Sequence, residues 1–212
     1  MGSEFLTSPF DNLLKPVDDH LIVHNELMSS LILGNKIQIH TSKHGIPDLD
    51  PTKIVIIGIP EIRNSIDYLG DELNLNEIRK SFYNLYPGNW STEIADLGNL
   101  ILGENVEQTY GRIISMLSIL FEKNIIPIII GGSHDLLYAN YRAYDSFKST
   151  VNIVNIDSNF DLGDSAKPIN NLSYLGKIIL DEPHNLFNYS NLGYQTYHNS
   201  QEGIDLMENL YF

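Results

Sequence analysis

A chain of 212 residues with 42% hydrophobic and 19% charged residues is long enough for one well-buried domain and has a globular composition. The formal net charge of −14 argues against binding to nucleic acid, whose phosphates would be repelled. The absence of cysteine excludes disulfides, thiolate metal ligands and cysteine nucleophiles. No apolar run approaches the roughly 20 residues that cross a bilayer, and the N-terminus lacks the pattern of a signal peptide, so a cytoplasmic location is the default expectation.

The first half of the chain predicts an irregular lead-in followed by strands. Residues 1–35 are expected to form an N-terminal arm, and residues 36–212 a single α/β domain. The segment KIQIHT (36–41) alternates as a strand does. KIVIIGIP (53–60) is a continuous apolar run of strand length, which is typical of a strand buried on both faces. TEIADLGNLI (92–101) predicts a second buried strand.

Two helices are predicted from apolar residues at helical spacing. The longer one spans 104–124, with acidic residues in its first turn and a lysine in its last, as the helix dipole prefers. Its apolar stripe consists of Val106, Tyr110, Ile113, Leu117 and Leu120. The shorter helix lies between the two buried strands, and its apolar positions are Leu75, Ile78, Phe82 and Leu85.

The second half of the chain continues the alternation. The segment 173–180 fits a helix or a strand, and the final helix begins at Ser200 as an N-cap residue. The other predicted elements are a strand over 125–132, a helix over 135–147, a strand over 151–158 and a strand over 186–197. Strands alternating with helices predict an α/β fold in three layers, with a doubly wound, mostly parallel sheet and helices on both faces.

Polar residues gather where two of these strands end. The run IIPIII leads through two glycines, which allow a tight backbone turn, to His134. After the next strand, Asp157, Asn159 and Asp161 stand two apart and point to one side while the chain stays extended. In such sheets the ligand site lies beyond the carboxyl ends of the strands. Imidazole and carboxylates suit Mn²⁺, Fe²⁺ or Zn²⁺, with manganese favoured when oxygen donors dominate. A turn histidine with helix-capping aspartates is the alternative, which the spacing leaves open.

Four segments in this order resemble motifs of the ureohydrolases, the family of arginases, agmatinases and formiminoglutamases: NEIRKSFYNL, IADLGNL, GGSHD and NIDSNFDLGD. The resemblance covers roughly residues 50–212 and is greatest to arginase- or formiminoglutamase-like members. It implies the arginase-like doubly wound fold and a binuclear manganese centre. That centre activates water for attack on the guanidino or formimino carbon of a small linear amidine.

The resemblance also implies roles for individual residues. His134 matches the metal ligand of the first motif, Asp157 the aspartate that bridges both metals, and Asp161 the second aspartate on the first metal. Asn159 stands where the family has the histidine that binds the second metal, and a neutral amide is a poorer donor than imidazole. Ser133 replaces the aspartate of the first motif, a group expected to orient the histidine.

Other parts of the family pattern are altered or missing. Gly131 and Gly132 are expected to shape the loop around the metal ligand, as in the family motif. The family's proton-relay histidine is not evident in NNLSYLGK (170–177), and His184 lies too far along the chain to replace it. No catalytic residue is therefore assigned from the sequence.

The family's third metal motif, S-x-D-x-D, does not occur before Phe212, so the chain resembles a ureohydrolase that lacks its C-terminal third. Two-metal hydrolysis needs both ions. We therefore expect an active hydrolase for the full-length parent, but an inactive chain as written, with one weakly held Mn²⁺ or none. An incomplete sheet should expose an edge strand and an apolar face, which predicts a homo-oligomer. The alternative is a pseudoenzyme that keeps the fold for assembly or ligand binding.

Overall fold

The chain forms two compact units. A computed structural model describes residues 10, 12–70, 73–89, 93–164 and 166–209. The first unit contains the described residues up to Glu61 and those between 73 and 132, and the second contains 62–70 and the described residues from Ser133 onward. Within the described ranges, no helix combines the length and the apolar character needed to cross a membrane.

The first unit is built on a five-stranded, mostly parallel sheet. Its strands are β1 (Leu14–Lys15), β2 (Gln38–Ile39), β3 (Ile54–Gly58), β4 (Ile94–Leu100) and β5 (Ile126–Ile130). β3 lies between β4 and β5 and runs parallel to both, whereas β1 pairs antiparallel with β4. The two predicted buried strands are confirmed as β3 and β4, since most of their residues are buried.

β5 confirms the strand predicted over 125–132, but it is less buried than its continuous apolar run suggests. It is at the edge of the described sheet, and Ile126 and Ile128 are 63% and 46% exposed. An apolar run of this length predicts a strand correctly. Its burial depends on neighbours at both edges and on both faces, and these are set by other parts of the chain.

Three helices belong to the first unit: α1 (Asp19–Leu27), α2 (Asn76–Tyr83) and α3 (Val106–Glu122). α3 confirms the predicted stripe, because all five of its apolar positions are buried. Asn105 caps this helix by accepting a hydrogen bond from the backbone N–H of Gln108 at 2.8 Å. β1 and α1 both lie within the predicted N-terminal arm, so the described part of that arm contains regular structure.

α2 is a helix, as predicted, but its buried face agrees only in part: Leu75 is buried and Phe82 half-buried. Ile78 and Leu85 are 50% and 55% exposed, whereas Arg79 and Tyr83 are buried. The reason is a buried ion pair: Arg79 Nε donates to Asp96 Oδ2 on β4 at 2.8 Å, and the Tyr83 hydroxyl donates to the same oxygen at 2.8 Å. A paired charge therefore determines which face of this helix is turned inward.

The second unit holds a two-stranded parallel sheet of β6 (Val151–Ile156) and β7 (Leu186–Leu192). Its helices are α4 (Leu136–Arg142), α5 (Tyr174–Leu180) and α6 (Gln201–Asn209). The alternation predicted one continuous sheet, whereas the described strands pair in two groups. The parallel pairing itself is confirmed.

The core of the second unit lies between this sheet and its helices. Its buried members are Tyr141, Ile153, Tyr174, Leu175, Ile178 and Tyr189. The segment left open as helix or strand is the helix α5, while the strand predicted over 186–197 ends at Leu192. Ser200 accepts a hydrogen bond from the Gly203 N–H at 3.1 Å, which confirms it as the cap of α6.

Candidate metal centre

The turn that leads out of β5 depends on its two glycines. Gly131 and Gly132 have φ angles of 79° and 87°, a left-handed conformation that side chains disfavour. A Cβ atom at Gly131 would also collide with the side chain of Leu75. The chain therefore turns within two residues, as the sequence predicted. His134 lies just after this turn, two residues before the start of α4.

His134 meets two aspartates from the loop that follows β6. Its Nδ1 lies 3.3 Å from Asp157 Oδ2 and 3.6 Å from Asp161 Oδ2. One ligand atom from each of the three residues lies within 4.8 Å of the others. The histidine side chain is 61% exposed and that of Asp161 only 2%, so the group has a closed carboxylate side and an open imidazole side.

The two aspartates converge through a turn rather than through the extended chain that the spacing suggested. The Asn159 N–H donates to Asp157 Oδ1 at 3.1 Å, and Asp161 has a φ of 54°. The Asn159 side chain is engaged locally, accepting a hydrogen bond from Ser158 Oγ at 3.1 Å. An Asx turn followed by a left-handed residue therefore brings positions 157 and 161 together.

Two asparagines that the sequence analysis missed hold this loop in place. Asn199 accepts from the Phe160 N–H and donates to the Ser158 carbonyl, both at 2.8 Å. Asn191, on β7, donates to the Asn159 carbonyl at 2.9 Å. Asn191 lies inside the strand predicted over 186–197, and a polar residue within a predicted strand was the available signal for it. Side chains from distant segments thus satisfy the backbone of the loop.

The aspartates change the titration of the histidine. A long hydrogen-bonding contact with Asp161 raises the pKa of His134, burial lowers it, and the charges of Asp157, Asp161 and Asp67 raise it further. The net direction is upward, because carboxylates near an imidazole favour its protonated form.

The site passes a test of fit for a divalent cation. Asp161 Oδ2 is buried, and no donor lies within normal hydrogen-bond distance of it among the described residues. A buried carboxylate oxygen without a donor is costly, and a cation beside it would remove that cost. One imidazole and two carboxylates are ligands that manganese and zinc accept. His134, Asp157 and Asp161 therefore fit one divalent ion.

Ser133 does not make the contact that the family motif suggests. It is buried, but its hydroxyl has no hydrogen-bond partner among the described residues, and so none in His134. Its carbonyl accepts from the Leu136 N–H at 3.1 Å, at the start of α4. An orienting role for this serine remains a prediction.

A cavity of about 270 Å³ opens beside Asp161, the only one of the three residues that lines it. Asp161 lines it together with Asn159, Leu172, His198, Asn199 and Ser200. The rest of the lining is Phe160, Leu162, Gly163 and Gly203, so polar and apolar residues share the cavity, as is usual for a site that binds a small molecule.

The fold and the site define a class of α/β protein with a candidate metal centre at the end of a strand. The sequence model of the arginase family matches residues 52–210. The chain therefore belongs to the arginase family.

Three relatives show this similarity. The formimidoylglutamase of Macrococcus caseolyticus is 30% identical over 146 residues, covering 66% of this chain and 45% of the relative. Trypanosoma cruzi formiminoglutamase, solved with Mn²⁺, has a TM-score of 0.67 at 18% identity and covers 76% of this chain and 59% of that one. Formimidoylglutamase from Bacillus subtilis has a TM-score of 0.66 at 16% identity, and the match covers 98% of this chain and 61% of that one. The structural matches show the arginase-like fold, and the chain spans about half the length of the curated relative.

Proposed function

We propose that the protein containing this chain is a metal-dependent hydrolase that cleaves a C–N bond of a linear amidine, with a formimino compound as the preferred substrate class. The observation that carries the proposal is the convergence of His134 with Asp157 and Asp161 around Asp161 Oδ2, a buried oxygen with no hydrogen-bond donor at normal distance among the described residues. The formimidoylglutamase relatives support the substrate class, and the relative solved with Mn²⁺ supports manganese.

The three residues would hold the ion, which when bound supplies Lewis-acid stabilisation and lowers the pKa of water. Water adds to the amidine carbon, the C–N bond to the substrate amine breaks, and the amine leaves with a proton as the amidine becomes an amide. The exposed imidazole side leaves room for a substrate to approach, and the neighbouring cavity offers amide and hydroxyl groups for its polar tail.

Two measurements test the proposal. The first is the binding of Mn²⁺ to this chain, and the second is the hydrolysis of formimino and guanidino compounds by this chain and by any longer product of the same gene. Asp161→Asn keeps the shape of the side chain and removes its charge, so we expect Mn²⁺ affinity to fall at least about tenfold. Asp164→Asn is the matched control, because Asp164 is exposed and pairs with Lys167 at 3.5 Å. Absence of Mn²⁺ binding in the unmodified chain, together with no turnover of any amidine, would refute the proposal.

A second candidate function is a pseudoenzyme that uses the fold for assembly or ligand binding. The observation that favours it is Asn159, an amide at the position of a family metal ligand, with its oxygen bonded to Ser158. Asn159→His distinguishes the two candidates. If the proposed enzyme is correct, this variant should bind a second equivalent of Mn²⁺ or leave turnover intact, whereas a pseudoenzyme would remain inactive before and after the change.

A further inference from the structure

The loop from Asp157 to Asp161 contains a backbone conformation that is uncommon for a residue with a side chain. Asp161 has a φ of 54°, in the left-handed region that favours glycine. Residues in such conformations persist where the surrounding structure holds them. The groups that bond the backbone of this loop therefore help to keep its two carboxylates together.

The side chain of Asn199 bonds this loop at two points. Its Oδ1 accepts from the Phe160 N–H and its Nδ2 donates to the Ser158 carbonyl, both at 2.8 Å. The same Nδ2 donates to the Gln195 carbonyl at 2.9 Å, so the amide is fixed from its own segment as well. One planar amide thus bonds the backbone on both sides of Asn159, as a peptide group of a neighbouring strand would.

Asn191 bonds the middle of the same loop from β7. Its Nδ2 donates to the Asn159 carbonyl at 2.9 Å. Its own backbone position is fixed by the sheet, where it lies opposite Asn155 of β6. The two amides together satisfy three backbone groups of the segment that separates the two carboxylate ligands.

We propose that Asn199, assisted by Asn191, is a positioning residue for the metal centre. The two amides hold the 157–161 loop in the conformation that brings Asp157 and Asp161 to one ion, and they do so through the backbone rather than through the carboxylates. The proposal rests on the metal site of the proposed function and adds two residues to it. Removing outer hydrogen bonds that orient metal ligands commonly lowers metal affinity about 10- to 100-fold.

The test is a Mn²⁺ titration of the chain, followed by electron paramagnetic resonance of free Mn²⁺. Asn199→Ala removes both bonds to the loop, and we expect its Kd for Mn²⁺ to rise about tenfold. Asn35→Ala is the matched control, because that amide likewise donates to two backbone carbonyls, those of Asn25 at 2.7 Å and Ser29 at 3.1 Å, in the first unit. Its Kd should stay within about twofold of the unmodified chain, which is small against the effect of removing a bond that orients a ligand.

A double-mutant cycle with Asp161→Asn separates positioning from general destabilisation. If Asn199 acts by placing the Asp161 carboxylate, Asn199→Ala should raise the Kd of the Asp161→Asn protein by clearly less than it raises the Kd of the unmodified chain. An equal factor in both backgrounds would show that the two residues act independently, and it would overturn the proposal.

Asn191→Ala tests the same loop through a different bond. It leaves the Asn159 carbonyl without its asparagine donor, so the Kd should rise here too. Should Asn199→Ala fail to fold, Asn191→Ala decides, and an unchanged Kd in it overturns the proposal.

The outcomes separate this inference from the proposed function. Manganese binding in the unmodified chain with an equal Kd in Asn199→Ala overturns the role of Asn199 and leaves the metal site standing. No manganese binding in the unmodified chain overturns the metal site and this inference with it. A selective rise of the Kd in Asn199→Ala, with coupling to Asp161→Asn, supports both.

Discussion

At the scale of single residues, the candidate site is decided by the surroundings of one carboxylate. Asp161 is buried, whereas its neighbour in the group, His134, is largely exposed. Burial makes the charge of Asp161 expensive to leave unbalanced, and its interactions with the imidazole and with a cation are correspondingly strong. The same charge explains the raised pKa of His134.

In the metal-free protein we expect His134 to titrate above its ordinary pKa of about 6.5. Because the pKa of His134 is higher in the folded than in the unfolded protein, its protonated ring stabilises the fold. This contribution is complete below the ordinary pKa and is lost as the pH rises through the folded pKa. An NMR titration of the imidazole measures this directly. Asp161→Asn should lower the pKa and Asp164→Asn should leave it unchanged. A pKa at or below 6.5 in the unmodified chain would contradict the expectation.

At the scale of elements, the main specific contact is the buried ion pair between Arg79 and Asp96, which joins α2 to β4. Arg79 bonds Asp96 through two nitrogens, at 2.8 and 3.2 Å, and also reaches Asn99 Oδ1 at 2.7 Å and the Gly98 carbonyl at 2.8 Å. With these partners and the Tyr83 hydroxyl, few polar groups of the pair are left unsatisfied. Such a pair fixes the rotation of α2 against its sheet more than it adds stability.

Removing one member of this pair should destabilise the protein strongly. We expect Asp96→Ala to lower the free energy of unfolding by about 3–5 kcal/mol, because Arg79 is left charged and buried. The control is Asp50→Ala, which breaks the exposed pair between Asp50 and Lys123 at 3.4 Å and should cost at most about 1 kcal/mol. Urea unfolding of the three proteins measures both values. Equal effects of the two substitutions would show that the buried pair is not a determinant of this packing.

At the scale of the whole molecule, the second unit carries an apolar surface on one face of its sheet. Ile153 and Tyr189 oppose each other in the register and point into the core, so the alternate positions point outward. On that outer face Val154, Ile156 and Leu192 are 66%, 82% and 54% exposed. These exposed apolar side chains give the expected self-association a specific surface.

We expect the chain to associate in solution through this face. Ile156→Lys introduces a charge at the most exposed of its apolar positions and should shift the protein towards the monomer, because burial of a charge opposes association. Gln201→Lys adds the same charge to a polar position of α6 and should leave association unchanged. Light scattering over a range of concentrations is the measurement. An unmodified chain that stays monomeric at high concentration would contradict the prediction.

Regular elements were predictable wherever one local pattern decided them. β3, β4 and α3 follow from an apolar run or a single helical stripe, and both kinds of pattern depend only on near neighbours along the chain. The buried face of α2 was predicted only in part: Leu75 is buried, but apolar spacing cannot reveal that Arg79 has a buried partner seventeen residues away. The exposure of β5 was missed for the same reason, because an edge is a property of the sheet.

The sequence by itself determined the family, the parallel α/β pattern and the three residues of the candidate centre, because the motif residues and their order along the chain carry that information. Only the tertiary structure decided how those residues meet. The anchoring of the Asp161 loop by Asn191 and Asn199 joins segments distant in sequence. Such contacts depend on packing and hydrogen-bond satisfaction across the whole unit, and local spacing does not encode them.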